Sequence, residues 1–400
     1  MIRIVTCRVL LAVAFAVAGC AGGTPENRES VEQVTAYQAQ YRSDLDQTID
    51  DRNDRSVALN LERCAAPAAT RQNPVFRPQV DLLSRSDLLD VAIGDDKTLS
   101  GSAEVGQDGT LRLPHLSAVR AHGRTIDAVE DAIRTQLVRE GFYRVAPRVS
   151  VRLADKAAAK VHVAGAVFDP GSVTVGGIRG DTVDKARQDA IGASGEGRTL
   201  SRALASAGGI RPDADLANVT VLRGGQRIIV DARPAVSGRR FDDMVLIADD
   251  QIDVPSRGCF QEALMAPMAL TAPGVKVFLS NLTKPADANA LSAIGKEARE
   301  LRYGTRLIQA VVGMNCVGGT AATNAARSVV LFSRNPLTKE SIVIERRIED
   351  LLRRSDRDEL DPYILPGDAI ACYDSTVTNI VDVARSISLV IGTSLPFLVL

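Results

Sequence analysis

The chain has no tryptophan, and six tyrosines and nine phenylalanines are all its aromatics in 400 residues. A broad aromatic platform on which sugar rings could stack is therefore not expected. Charge of one sign is missing too. Lys and Arg number 48 and Asp and Glu 49, for a net charge of −1. A nucleic-acid partner would need a basic patch, and this balance argues against one. Histidine is scarce. His115 and His162 fall in strand-like runs and His122 at a turn, so structural roles are expected for all three. No residue spacing suits a metal ion, no nucleophile elbow appears, and no G-x-x-x-x-G-K-[ST] loop offers a phosphate cradle. Asp-Gly pairs such as Asp108-Gly109 read as turns before they read as acids. No enzyme, metal or cofactor is expected.

What is present begins with an export signal over residues 1–19. Arg3 and Arg8 supply a positive start. Val9 to Ala18 form an apolar run too short to span a bilayer, which needs about 20 residues. The run ends in Val17-Ala18-Gly19-Cys20, which resembles the lipobox of bacterial lipoproteins. Small residues there admit the peptidase, and the Cys20 thiol takes the lipid. No aspartate follows Cys20, which favours the outer membrane. Past Cys20, the cysteines are Cys64, Cys259, Cys316 and Cys372. In an oxidising compartment one or two disulfides are expected, with three full pairings open and free buried thiols the alternative.

A tether leads to Val31, Val34, Tyr37, Tyr41 and Leu45, whose spacing predicts a helix from about Ser30 to Asp51. Residues 20–75 are read as tether and helix. Residues 76–156 read β, α, β: Thr125 caps a helix whose face is Ile126, Val129, Ile133 and Leu137, and Val149, Val151 and Leu153 alternate with polar residues. Residues 157–256 form a second unit. It has two strands joined through Asp169-Pro170-Gly171, a Gly-rich insertion from Gly176 to Arg198, and a helix stopped at Gly208-Gly209. A hairpin through Gly224-Gly225 and a closing strand complete it. Residues 257–374 repeat that order more loosely, closing on Ile364 to Tyr373.

Residues 375–400 differ in kind. On a helix, Asn379, Asp382, Ser386 and Thr393 share one narrow arc and most of the remaining surface is aliphatic. A helix from about Thr376 to Leu395 would be ~30 Å long, the thickness of a bilayer core. Polar groups at that depth face a bundle interior or water. Several copies in a ring would turn the arc inward and line a water-filled barrel.

These features together resemble the outer-membrane polysaccharide export family, the Wza-type exporters. Val105 to Ile133 looks like that family's export motif: a Gly-bearing turn, a strand with a central Pro, and a Gly-x-Thr helix start. The later units resemble its soluble ligand-binding β-grasp (SLBB) domains, through VAGAVFDPGSV, ALASAGGI and Leu365-Pro366-Gly367-Asp368. The chain departs from the pattern where the first "PGD" reads Ser84-Arg85-Ser86-Asp87. The second β-grasp unit has no "PG" turn, only Ala272-Pro273-Gly274 ahead of its first strand. The insertions around Gly176 and Pro285 are long.

The resemblance implies an α+β chain with an export domain, two β-grasp domains and a C-terminal transmembrane helix that forms an oligomeric α-helical barrel. It implies a homo-oligomer of about eight subunits, lipid-anchored in the outer membrane with its bulk in the periplasm. Its cargo would be capsular polysaccharide or exopolysaccharide, and its partner an inner-membrane co-polymerase. The alternative is a scaffold lipoprotein without a pore, holding glycan or an envelope partner through its β-grasp domains.

Overall fold

The computed structural model describes residues 37–41, 60, 64, 82–177, 197–281, 299–313, 327–354 and 357–373. It is a mixed α+β structure with several sheets and few helices. The chain falls into two compact units, 60–274 and 1–59 with 275–400.

In the unit 60–274, β1 (Leu88–Ile93) lies between β2 (Asp96–Glu104) and β5 (Val149–Asp155), both antiparallel to it. Leu89, Val91 and Ile93 alternate inward and meet helix α1 (Ile126–Arg139). Val129, Ile133 and Leu137 recur every four residues along α1, so all three face that core. Burial of those side chains contributes about 1.5–3 kcal/mol each. The strand-like run expected around His115 is not a strand. Only β3 (Thr110–Leu111) and β4 (Val119–Arg120) pair, and His115 sits at φ 61 between them, in a turn rather than a strand.

The same unit holds a five-stranded sheet ordered β7-β6-β10-β8-β9. Its strands are β6 (Ala159–Gly165), β7 (Gly171–Val175), β8 (Val219–Arg223), β9 (Gln226–Val230) and β10 (Gln251–Val254). The central pair, β6 and β10, is parallel and the other pairs are antiparallel. Gly224 and Gly225 take φ 54 and 83 and close the β8–β9 hairpin. Helix α2 (Leu200–Ser206), capped by Thr199, buries Leu200, Ala203 and Leu204 against the inner face of Val161, Val163, Val221 and Ile252. Leu264 and Leu270 join this core. Residues 257–274, counted with the following unit in the sequence, therefore pack on this one, because their leucines find its core first.

In the other unit β11 (Gly274–Asn281), β12 (Arg299–Arg302), β13 (Ser328–Arg334), β14 (Ser341–Arg347) and β15 (Ala369–Tyr373) take the order β12-β11-β15-β13-β14. Its parallel pair is β11 with β15. Numbered within each sheet, both orders read 2-1-5-3-4. Among the described residues each has one helix between its second and third strands, here α3 (Leu307–Gly313). A further helix, α4 (Ile348–Arg353), precedes β15.

Residues 37–41 belong to this second unit. The expected helix from about Ser30 to Asp51 is not what these five residues show. They end in a 3-10 turn (Ala39–Tyr41), and all five are buried, the two glutamines included. The reason is local. Gln38 donates through Nε2 to the Tyr363 carbonyl and accepts the Tyr363 N–H at Oε1, both at 2.9 Å, so its amide replaces a strand partner. Arg346 donates to the Gln40 carbonyl at 2.9 Å. Among the described residues no helix is long and apolar enough to cross a membrane, and residues 374–400 lie outside them.

Candidate functional site

Three turns share one construction. The N–H of Ser84 donates to Asp87 Oδ2 at 2.7 Å, that of Ile247 to Asp250 Oδ2 at 2.9 Å, and that of Leu365 to Asp368 Oδ2 at 2.8 Å. In each turn the aspartate N–H returns to the carbonyl of the same residue, at 3.3, 3.3 and 3.1 Å. The third position is left-handed every time: Ser86 at φ 64, Asp249 at φ 68 and Gly367 at φ 87. The altered leading turn, Ser84-Arg85-Ser86-Asp87, thus keeps the shape of Leu365-Pro366-Gly367-Asp368. Ser86 holds a backbone conformation that glycine adopts freely.

The three carboxylates find different partners. Asp87 meets Arg198 at 2.7 Å in a pair that is 0% and 1% exposed. Asp250 accepts two bonds from Arg223, at 2.9 and 2.6 Å. Asp368 accepts from Ser333 Oγ at 2.7 Å, and the Tyr41 hydroxyl lies 3.0 Å from that same oxygen. No cation bonds to Asp368 among the described residues. Burial pushes its carboxyl up to about 7. Asp361, also buried, is pushed up to about 6 against the hydrogen bond from the Ile308 N–H.

Arg198 is the joint between the three-stranded sheet and the first five-stranded one. It donates to Asp87 in the turn before β1, to the Ala157 carbonyl between β5 and β6, and to the Leu82 carbonyl. Asp87 Oδ1 also accepts the Ala157 N–H at 3.0 Å. Gly176 makes room for the arginine, since a Cβ there would stand 2.9 Å from Arg198 Cβ at a backbone φ of +76. Two further contacts tie the turns to each other: Arg85 with Asp249 at 2.5 Å, and the Ala248 N–H with Ser84 Oγ at 2.9 Å. His122 lies beside them. Burial, then the Arg85 charge, hold its imidazole below the usual range, so it sits there neutral near pH 7.

The export-motif residues form a tight corner next to that joint. Asp108 accepts from the Thr110 N–H at 3.1 Å, from its hydroxyl at 2.8 Å and from Arg112 at 2.5 Å. Arg112, foremost, holds the carboxyl down to about 2. The Gly109 carbonyl takes the N–H groups of Ala121 and His122, at 2.9 and 3.0 Å. A side chain at Gly109 would strike His122 Cβ at 2.9 Å. The Gly123 N–H donates to the Leu83 carbonyl at 2.8 Å, and Thr125 Oγ1 caps α1 at the Ala128 N–H. The motif thus welds the start of α1 to the Asp87 turn.

Cys64 and Cys259 are joined by a disulfide within the unit 60–274, and Cys372 is disulfide-bonded as well. Cys20, Cys316, Asn379, Asp382, Ser386 and Thr393 lie outside the described residues. Sequence reading passed over Arg198, counted as the last residue of the Gly-rich insertion, and over the Tyr41–Ser333–Asp368 chain. One signal was there: Asp87, Asp250 and Asp368 each close an x-x-x-Asp turn directly ahead of a strand.

Residues 77–154 match the family model described as polysaccharide biosynthesis/export protein. The match spans β1 to β4, α1 and all but the last residue of β5, and so covers the whole export-motif corner together with Asp87. No curated protein matches the chain.

Proposed function

With a polysaccharide biosynthesis/export domain over residues 77–154 as the premise, we propose that the protein is the outer-membrane channel of a capsule or exopolysaccharide export system. It works as a ring of identical subunits with its bulk in the periplasm. The two sheets of order 2-1-5-3-4, each with a parallel central pair, support reading the units after the export domain as β-grasp domains. An inner-membrane co-polymerase would deliver the polymer. Transport needs no nucleotide site in this chain, because synthesis drives the polymer forward.

One observation carries this reading. Tyr37 stands 17 residues after Cys20, and residues 37–41 are buried in the same unit whose last strand, β15, leads into residues 374–400. Gln38, Gln40 and Tyr41 hold that strip to Tyr363, Arg346 and Ser333. A lipid on Cys20 and an apolar tail after Ser375 would therefore leave from one body, as two attachments to one membrane. In the ring, the polar arc of Asn379, Asp382, Ser386 and Thr393 faces the lumen and the aliphatic face meets lipid. Such a wall exchanges hydrogen bonds with a hydrated glycan.

Truncation after Ser375 tests the reading. The truncate is expected to fold and to carry lipid, yet to export no polymer. Normal surface polymer from cells carrying only the truncate contradicts a channel and leaves the scaffold alternative.

A further inference from the structure

The two five-stranded sheets have the same order but dissimilar outer faces. Across the first sheet, cross-strand partners form one continuous row: Ser172 on β7, His162 on β6, Gln251 on β10, Leu222 on β8 and Arg227 on β9. All five are exposed, and four of them are polar. Ser172 Oγ lies 2.9 Å from His162 Nδ1, so the row is hydrogen-bonded within itself. The corresponding row of the second sheet is Phe278, Ala369, Phe332 and Val343. Phe278 is 58% exposed and Phe332 36%. The fold therefore accepts either chemistry at these positions, and neither is needed to hold the sheet together.

The first face is built for a polar chain. Five strands at roughly 4.8 Å spacing make the row about 19 Å long. Its neighbours on the same face are Thr174 and Lys160 to one side and Ala164, Asp253, Thr220 and Ile229 to the other, with Thr220 buried. Hydroxyl, amide and imidazole groups offer donors and acceptors along the row. Lys160 and Arg227 are exposed, and Asp253 is the single carboxylate among these residues. The Arg227 guanidinium also donates to Thr220 Oγ1, at 3.3 Å, which steadies it over the face. No aromatic ring lies in the row, so recognition there works through hydrogen bonds and charge rather than stacking.

We propose that this outer face, from Ser172 across His162 and Gln251 to Arg227, is where the chain holds the exported polymer, and that the polymer is acidic. The excess of cations over the lone Asp253 suits carboxylate-bearing sugars, which accept charge-assisted bonds from Lys160 and Arg227. The inference rests on the export reading for the identity of the cargo, and it is tested by binding alone.

Titration of the full-length protein in detergent with oligogalacturonate, and with neutral dextran of equal length, decides it. Oligogalacturonate is expected to bind, more weakly as salt rises, and dextran to bind at least tenfold more weakly. Lys160→Gln with Arg227→Gln is expected to cost about tenfold in affinity while the melting temperature stays unchanged, because both side chains are exposed. Phe278→Ser on the equivalent row of the second sheet should leave the affinity alone. Equal binding of both glycans, no binding of either, or a double variant that binds like the parent would overturn the proposal. Polymer export measured with the same variants keeps the two readings apart. Export without oligogalacturonate binding defeats only the acidic face, and binding without export defeats only the channel.

Discussion

Asp87 and Arg198, 111 residues apart, form a fully buried ion pair that closes the export-domain turn onto the linker before β6. Neither charge reaches water, so Arg198 depends on Asp87 and on the carbonyls of Ala157 and Leu82, and Asp87 on Arg198 and on the N–H groups of Ser84 and Ala157. Removing one partner leaves an uncompensated charge in the interior. Asp87→Asn or Arg198→Met is therefore expected to destabilise the unit 60–274 by about 3–5 kcal/mol. The double variant should cost less than the two single losses combined. Asp90→Asn breaks an exposed pair with Arg152 and should cost under about 1 kcal/mol. Calorimetric unfolding of the full-length protein measures all four. A single loss at Asp87 as small as that at Asp90 would contradict the joint.

The unit containing Asp368 should lose stability as pH rises. Its carboxyl is pushed up from 3.8 to about 7, so the folded state holds a proton that the unfolded state has released. Stability from this group is full below pH 3.8 and is lost as pH rises through about 7. Asp361, pushed up to about 6, adds a slope of the same sign at lower pH. Melting curves at pH 5 and pH 8 should show the drop, and Asp368→Asn should abolish the part of it above pH 6. A variant with the parent's full slope between pH 6 and 8 would place the titration elsewhere.

The Cys64–Cys259 bridge spans 195 residues of sequence and fixes the strip ahead of the export domain to the segment after β10. A closure of that size limits the unfolded chain strongly, and measured values for native bridges run to about 2–5 kcal/mol. Cys259→Ser should lower the melting temperature of the unit 60–274 and free one thiol. Peptide mapping without reductant should recover the two cysteines in one linked peptide from the parent. Recovery of both as free thiols from protein isolated without reductant would refute the bridge.

Periodicity and turn chemistry made much of this fold legible. The face Val129, Ile133 and Leu137, the stop at Gly208-Gly209 and the hairpin at Gly224-Gly225 all stand where residue spacing puts them. Those features are local, and local preferences suffice to specify them. The strip at 37–41 was misread because Tyr37 and Tyr41 match helical spacing, while the decisive partner, Tyr363, is more than 300 residues away. Arg198 was hidden for the same reason: its aspartate is distant in sequence, and a charged residue after a Gly-rich stretch reads as surface. Ser86 shows the converse. Its side chain departs from the glycine expected there, but the Asp87 carboxylate holds the turn in shape regardless.

The central claim is a ring with a lumen, and microscopy of the full-length protein extracted in detergent tests it most directly. The account predicts closed rings of identical subunits around a central channel, with the channel lost on truncation after Ser375. A population of monomers, or of assemblies with no opening on their axis, would contradict it.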